Sequence, residues 1–133
     1  MTFVDTGILV GALLEKHPEH LQCRAALEEF TDCFTDAHAL AETFATLTGF
    51  YKVPPAAATE LTLGLRMSLT VQSLPLSYYE TAIREARQRG VMGGGIYDSL
   101  HATFARRKRA TRIITRNPSH FAHTAPDLEI LTP

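Results

Sequence analysis

Short apolar runs alternate along the chain with longer stretches in which apolar and polar positions recur at helical spacing. The apolar runs, which predict buried strands, are residues 2–4, 32–35, 69–74, 111–115 and 128–131. Between them, residues such as Leu40, Phe44 and Leu47 predict amphipathic helices. Strands separated by helices pair in parallel, so the pattern predicts an α/β domain. We expect a mostly parallel central sheet of four to five strands with helices on both faces.

Length and composition limit the architecture and the location. A chain of 133 residues with 45% hydrophobic and 20% charged residues fits one domain, residues 1–133, with a single core. Cys23 and Cys33 are too few for a disulfide framework, and we expect both to be small core residues of a cytoplasmic protein. No apolar stretch reaches the ~20 residues of a membrane helix, and Asp5 interrupts the apolar N-terminus as no secretory leader would. We therefore expect no contact with a membrane.

The formal net charge of −1 predicts no general affinity for nucleic acid, but the charges are unevenly distributed. Nine of the thirteen lysine and arginine residues lie between Arg84 and Arg116, where Glu85 and Asp98 are the only acids. Eight of the fourteen acids occur up to and including Glu42. A partner that carries phosphates would therefore prefer the second half of the chain. The candidate contacts with a phosphate backbone are Arg106, Arg107, Arg112 and Arg116.

Three carboxylates stand where an α/β fold places functional residues. Asp5 directly follows the first predicted strand, Glu42 lies in the helix after the second, and Asp98 lies in the first turn of a helix after a glycine run. Open α/β sheets bind ligands at the carboxyl ends of their strands, so these acids can meet in one cleft. Each acid also has a structural explanation: Asp5 and Asp98 suit helix starts, and Glu42 suits a solvated helix face.

Carboxylates that share a cleft repel one another and take up protons unless a cation compensates their charge. Oxygen ligands without histidine or cysteine select Mg²⁺ or Mn²⁺ over softer metals. Such an ion can activate water and stabilise a leaving oxygen. The acids therefore indicate metal-dependent hydrolysis of phosphodiesters, which the nearby basic residues also suit.

Other motifs indicate other chemistry less well. His17, His20 and Cys23 recur at helical spacing, and His120 and His123 form a second close pair, so a zinc site is an alternative. Neither group has the compact Cys–Cys spacing of a structural zinc site.

The glycine run Gly93–Gly95 has neither the lysine and hydroxyl residues of a P-loop nor the spacing of a dinucleotide-binding loop. We interpret the run as a place of close packing or of close approach by a substrate backbone. Tyr97, which follows it, is expected to be a core residue rather than a stacking platform.

Four segments in this order resemble the PIN-domain ribonucleases, in particular the VapC-type toxins of prokaryotic toxin–antitoxin pairs. The segments are Phe3–Thr6, Leu40–Thr43, Ile96–Ala102 and Ile114–Asn117, followed by Phe121. The resemblance spans essentially the whole chain and implies a single PIN-like domain with ribonuclease activity. It implies that Asp5, Glu42 and Asp98 are catalytic ligands of Mg²⁺ or Mn²⁺, with Thr6 and Thr115 orienting ligands or water.

The sequence departs from this family at Asn117, where many members carry a fourth acid. Asparagine can offer a neutral oxygen to water on a metal, but it adds no charge. We therefore expect Asn117 to assist catalysis, with one well-held metal and a weaker second one. The resemblance further implies an RNA substrate, with tRNA as one candidate, a homodimer, and a cognate antitoxin that covers the cleft.

An α/β module that binds RNA or protein, with weak or no catalysis, is the competing hypothesis. In that interpretation Asp5 is a helix cap, Glu42 is a surface residue, and the basic run 106–109 carries the binding. Metal-dependent cleavage that the substitution Asp98→Asn abolishes would favour the enzyme.

Overall fold

A computed structural model describes residues 1–133 as one five-stranded sheet with helices around it. The strands are β1 (Thr2–Val4), β2 (Cys33–Asp36), β3 (Thr70–Gln72), β4 (Arg112–Ile114) and β5 (Glu129–Leu131). All neighbouring strands pair in parallel, in the order β3-β2-β1-β4-β5. The predicted α/β class and the parallel sheet are confirmed, with five strands.

Seven α-helices connect the strands. They are α1 (Thr6–Leu13), α2 (His20–Glu29), α3 (Ala37–Gly49), α4 (Pro55–Gly64), α5 (Leu76–Arg89), α6 (Gly95–Arg107) and α7 (Pro118–Thr124), with a 3₁₀ turn at Leu65–Met67. No helix has the length and apolar character needed to cross a membrane. The strand order changes direction between β1 and β4, so the carboxyl ends of these two strands flank the crevice at which such sheets bind ligands.

Successive residues of the central strand β1 face opposite layers of helices. Phe3 packs in a buried cluster with Phe34 and Phe104, and its ring meets that of Phe34 edge-on at a centroid distance of 5.7 Å. Val4 packs in a second buried cluster that includes Ile8 of α1. This alternation follows from the two-residue period of a strand. It confirms the prediction of helices on both faces.

The two ends of α5 are capped in different ways. The helix is followed by Gly90, whose left-handed φ of 65° closes it. Ser77 and Glu80 have the spacing of a capping box but do not form one, because α5 already begins at Leu76 and no side chain caps it. Pro75 directly precedes the helix, and its ring holds φ at −61° there, so the helix starts without a serine cap.

The apolar pattern does not predict α7, which lies between β4 and β5. Pro118 occupies the first position of this helix, where its missing N–H costs nothing. Phe121 is fully buried against the same layer as Phe3. A helix of only 7 residues shows too few turns for its periodicity to be visible in the sequence.

Helices α1 and α2 pack closely because Gly11 has no side chain. A Cβ atom at Gly11 would lie 2.5 Å from Sγ of Cys23, which is fully buried in α2. Cys23 and Cys33 are both buried free thiols, in keeping with their predicted place in the core.

We expect Gly11→Ala to lower the free energy of unfolding by about 1–3 kcal/mol, because the added methyl group must displace the Cys23 side chain in a close-packed interior. Urea denaturation of the purified protein measures this. Gly49→Ala is the matched control: it adds the same methyl group at a helical glycine with open space around it, and we expect a change within about 0.5 kcal/mol. Equal stability of the two variants would show that the contact between α1 and α2 is not tight.

Candidate acidic site at the carboxyl edge of the sheet

Asp5 directly follows the carboxyl end of β1, beside the end of β4. Val4 and Ile114 are partners in the parallel register, and the backbone N–H of Asp5 donates to the carbonyl of Ile114 at 3.0 Å. The chain then turns into α1, for which Asp5 is the N-cap. The sheet therefore places the Asp5 carboxyl group at the crevice between β1 and β4.

Two hydrogen bonds hold the carboxyl group of Asp5. Oδ1 accepts from the backbone N–H of Thr6 at 2.8 Å, and Oδ2 accepts from the Thr115 hydroxyl at 2.7 Å. Thr115 is fully buried, and its hydroxyl oxygen also accepts from the backbone N–H of Asn117. Burial raises the pKa of Asp5 above its usual range, although both hydrogen bonds oppose the shift. Asp5 is thus both a helix cap and a member of the acidic site.

Glu42 is held by a buried histidine that the sequence analysis did not identify. Nε2 of His101 lies 2.5 Å from Oε1 of Glu42, and Nδ1 of the same ring lies 2.5 Å from Oδ2 of Asp36. Asp36 is fully buried and caps α3 through the backbone N–H of Ala39. The chain of Asp36, His101 and Glu42 ties the first turns of α3 to the middle of α6.

His101 carries a positive charge in this chain. Burial by itself lowers the pKa of His101, but the hydrogen bonds and negative charges of Asp36 and Glu42 outweigh it and raise the pKa to about 10. Each ring nitrogen faces a carboxylate oxygen, which can only accept, so both nitrogens donate. At neutral pH a cation therefore lies among the acids.

Asp98 lies in the first turn of α6, which follows the glycine run. Burial raises the pKa of Asp98, and the negative charge of Asp5 raises it further, with a smaller contribution from Glu42. The three predicted acids are therefore close enough to oppose one another's ionisation. Oδ2 of Asp98 also lies 2.9 Å from Nδ1 of His120, a half-exposed residue of α7.

The chemistry of this site suits a hard divalent cation. The acids offer oxygen ligands, and mutual repulsion between Asp5 and Asp98 is what a bound cation would relieve. The hydroxyl of Thr6, next to Asp5, is buried and has no hydrogen-bond partner, so it is available to orient a water molecule. Three or more ligands do not gather around one point, and Oε1 of Glu42 is engaged by His101.

Asn117 is linked to the acidic site through its backbone and not through its side chain. It is exposed, and it precedes α7 without capping the helix through its side chain. Its backbone N–H donates to the Thr115 hydroxyl oxygen. The structure thus gives Asn117 a role in positioning Thr115, and its proposed catalytic role stays a prediction.

The four candidate RNA-binding arginines make their contacts outside the acidic site. Arg106 pairs with Asp127 at 2.8 Å, and Arg107 lies over the ring of Tyr78. Arg106 and Arg107 are in the last turn of α6, whereas Asp98 is in its first. The guanidinium of Arg112, at the start of β4, lies 4.7 Å from the ring centroid of Phe30. Nε and Nη2 of Arg116 donate to the carboxylate of Glu19. None of the four contacts the acids.

An open cleft of about 500 Å³ adjoins Asp98. Its walls are the glycine run with the end of α5 on one side and α7 on the other, including His120 and His123. The first group considered for zinc, His17, His20 and Cys23, lies elsewhere, and its two histidines bond to backbone atoms of Glu19 and Gly11. The structure gives no support to a zinc site at either group, because neither gathers three ligands.

The sequence contained signals for the residues that were missed. Asp36 directly follows the predicted strand 32–35, as Asp5 follows the predicted strand 2–4, so the same argument from strand ends predicts it; in the structure it is the last residue of β2. His101 lies three residues after Asp98, on the same face of α6, where it points to the same crevice. His120 had been considered only as a metal ligand, and its helix was not predicted.

The fold and the site define an α/β domain with a carboxylate cleft suited to a divalent cation. The chain belongs to the PIN domain family, which it matches over residues 2–125. A comparison with curated proteins gives no match.

Solved structures share the fold at low sequence identity. VapC20 of Mycobacterium tuberculosis, a toxin that cleaves the sarcin–ricin loop, is 16% identical, with a TM-score of 0.74 over 85% of this chain and 87% of its own. VapBC2 from Rickettsia felis, bound to a fragment of its promoter DNA, is 20% identical, with a TM-score of 0.71 over 99% and 98%. FitAcB from Neisseria gonorrhoeae is 18% identical, with a TM-score of 0.66 over 98% and 96%. The similarity confirms the PIN fold.

The charge on His101 predicts how stability depends on pH. In the unfolded chain the His101 pKa falls back to about 6.5, whereas in the folded protein it is about 10. The stabilisation is therefore complete below pH 6.5 and is lost as the pH rises towards 10. In the absence of divalent ions, we expect the free energy of unfolding of the wild type to fall across this range, and the fall to be much smaller in His101→Gln.

Urea denaturation at a series of pH values measures this slope. His123→Gln is the matched control, because His123 is exposed and its substitution removes no buried charge. Parallel slopes in the wild type and in His101→Gln would contradict a buried imidazolium.

Proposed function

We propose that this protein is an endoribonuclease that hydrolyses RNA phosphodiesters with Mg²⁺ or Mn²⁺, and that it is the toxin of a type II toxin–antitoxin pair. The main support is the PIN fold, at whose crevice Asp5, Glu42 and Asp98 influence one another's ionisation. The fold similarity to VapC20, which is a toxin that cleaves the sarcin–ricin loop, supports the choice of RNA. Similarity to VapBC2 supports the toxin–antitoxin context.

In this proposal the carboxylates of Asp5, Glu42 and Asp98 hold the metal ion. When bound, the ion supplies positive charge that lowers the pKa of a water molecule and stabilises the oxygen that leaves the phosphorus atom. Thr6 offers its free hydroxyl to orient water, and Asn117 acts on Asp5 through Thr115. No covalent bond between RNA and protein is needed.

The surrounding side chains keep the acids in place before the substrate arrives. The Thr115 hydroxyl and the Thr6 N–H each occupy one oxygen of Asp5, and together they fix the plane of its carboxyl group. His101 bonds to Oε1 of Glu42, so Oε2 is the oxygen of Glu42 that is available to a metal ion. Such supporting contacts are typical of metal-binding carboxylates and typically contribute about 10–100-fold to metal affinity or activity.

The proposed partners follow from the same charges. RNA would bring its phosphates to the cleft beside Asp98. Arg106 and Arg107, at the other end of α6, would contact parts of the RNA that are remote from the cleft. One candidate substrate is tRNA. A cognate antitoxin would inhibit by placing a cationic side chain among the acids, as His120 already pairs with Asp98. We further propose a homodimer in the cytoplasm.

We expect the wild type to cleave RNA with Mg²⁺ or Mn²⁺, and Asp98→Asn to lower the rate by about 100-fold or more, because the amide keeps the shape but removes the charge that holds the ion. Gel analysis of ribosomal RNA and tRNA after incubation measures cleavage. Glu60→Gln, which makes the same change at an exposed acid of α4, is expected to keep full activity.

Two results would contradict this proposal in different ways. Cleavage that persists in excess EDTA would exclude the metal-dependent mechanism. A wild type that binds RNA but cleaves none with either metal would favour the non-catalytic binding module.

A further inference from the structure

Next to the acidic site lies a stack of aromatic rings that the proposed reaction does not use. The ring of Tyr97 stacks on the ring of His38, with centroids 4.9 Å apart and an angle of 29° between the planes. The ring of Tyr79 meets the ring of His38 edge-on, with centroids 6.5 Å apart. Tyr97 belongs to the first turn of α6 and His38 to the first turn of α3, so the stack joins the two helices that carry Asp98 and Glu42.

The stack is not part of the hydrophobic core. Tyr97 is 44% exposed, which corrects the expectation that it is buried, whereas the aromatic residues Phe3, Phe34 and Phe104 are almost completely buried. A large aromatic side chain that leaves so much surface in water does little for folding. Its exposed area is available to a flat apolar partner.

The stack lies directly beside the proposed site of phosphodiester hydrolysis. Tyr97 precedes Asp98 in the chain, and Nε2 of His38 lies 3.8 Å from Oε1 of Glu42. In a nucleic acid each phosphate is flanked by bases. Exposed aromatic rings next to a phosphate-binding site are suited to hold those bases by stacking.

The glycine run that precedes Tyr97 in the chain has open space around it. Added Cβ atoms at Gly93 and Gly94 would meet no atom within 4 Å, and Gly93 has a left-handed φ of 53°. The absence of side chains there allows a nucleotide strand to pass close to the backbone before it reaches Asp98. A single RNA strand could therefore pass the glycine run, Tyr97 and Asp98 along one path.

We propose that Tyr97, supported from behind by His38, stacks against an unpaired base next to the phosphate that is cleaved. This inference rests on the proposed ribonuclease function and adds a base-binding subsite to it. The subsite takes single-stranded RNA, because a base must leave its own stack to lie on the tyrosine ring. It is indifferent to base identity in the manner of stacking contacts.

The chain contains no tryptophan, so one introduced tryptophan is a specific reporter. The test uses Tyr97→Trp combined with Asp5→Asn, which prevents cleavage without changing a neighbour of residue 97. We expect its fluorescence to be quenched saturably by a single-stranded hexamer of adenylate, and far less by a hexamer of the same ribose phosphates without bases. Phe50→Trp in the same background is the control: Phe50 is 76% exposed beyond the end of α3, and its fluorescence should not change.

The affinity of the Asp5→Asn protein for the adenylate hexamer gives a second measurement. We expect Tyr97→Leu to weaken it by roughly 5- to 100-fold, and Tyr97→Phe to leave it nearly unchanged, because phenylalanine keeps the stacking face. Equal quenching by the hexamer without bases, or full affinity in Tyr97→Leu, would overturn the subsite. If Tyr97→Leu binds the adenylate hexamer with full affinity but sedimentation shows a changed oligomeric mass, the subsite is also overturned, and the Tyr97 ring is assigned to a contact between protein chains.

These outcomes are separate from the test of the nuclease. If the wild type cleaves RNA but Tyr97→Trp shows no base-dependent quenching, the subsite fails and the ribonuclease function stands. If base-dependent quenching occurs but the wild type cleaves nothing with Mg²⁺ or Mn²⁺, the ribonuclease function fails and the base contact stands.

Discussion

The arrangement of the site depends on one buried cation, the imidazolium of His101. Four carboxylates, those of Asp5, Asp36, Glu42 and Asp98, lie at one edge of the sheet, and burial together with nearby negative charge raises the pKa of Asp5 and of Asp98. His101 bonds to Asp36 on one side and to Glu42 on the other, both at 2.5 Å. Buried charges persist in proteins only when they are paired and hydrogen-bonded. His101 therefore allows α6 to pack beside α3, which carries Asp36 as its N-cap and Glu42 within it.

One positive charge does not balance all of these acids. His101 compensates Asp36 and Glu42, whereas Asp5 and Asp98 remain next to each other, with only the half-exposed His120 paired to Asp98. A divalent ion, or a cationic side chain from a partner protein, would supply the missing charge. The same imbalance would thus account for the proposed metal-dependent reaction and for the proposed inhibition by an antitoxin. The aromatic stack of Tyr97 and His38 then borders the charged centre on its open side.

The sequence predicted the fold class and the three acids because both follow from period and order along the chain. Strand and helix periods give the parallel sheet, and residues after strand ends meet at one edge. It did not predict α7, whose 7 residues show no clear period, or His101 and its bond to Glu42 of α3. Side-chain pairs between distant segments depend on packing that local patterns do not encode. Asp36 was within reach of the same reasoning, since it follows the predicted strand 32–35 as Asp5 follows the predicted strand 2–4.

The central claim is that Asp5 and Asp98 share a divalent cation, and binding of Mn²⁺ to the protein without RNA tests it most directly. Electron paramagnetic resonance of free Mn²⁺ measures how much ion the protein removes from solution, independently of any cleavage. The account predicts a saturable site in the wild type that is lost in the double variant Asp5→Asn with Asp98→Asn. Binding of the same amount of Mn²⁺ with the same affinity by the double variant would contradict it.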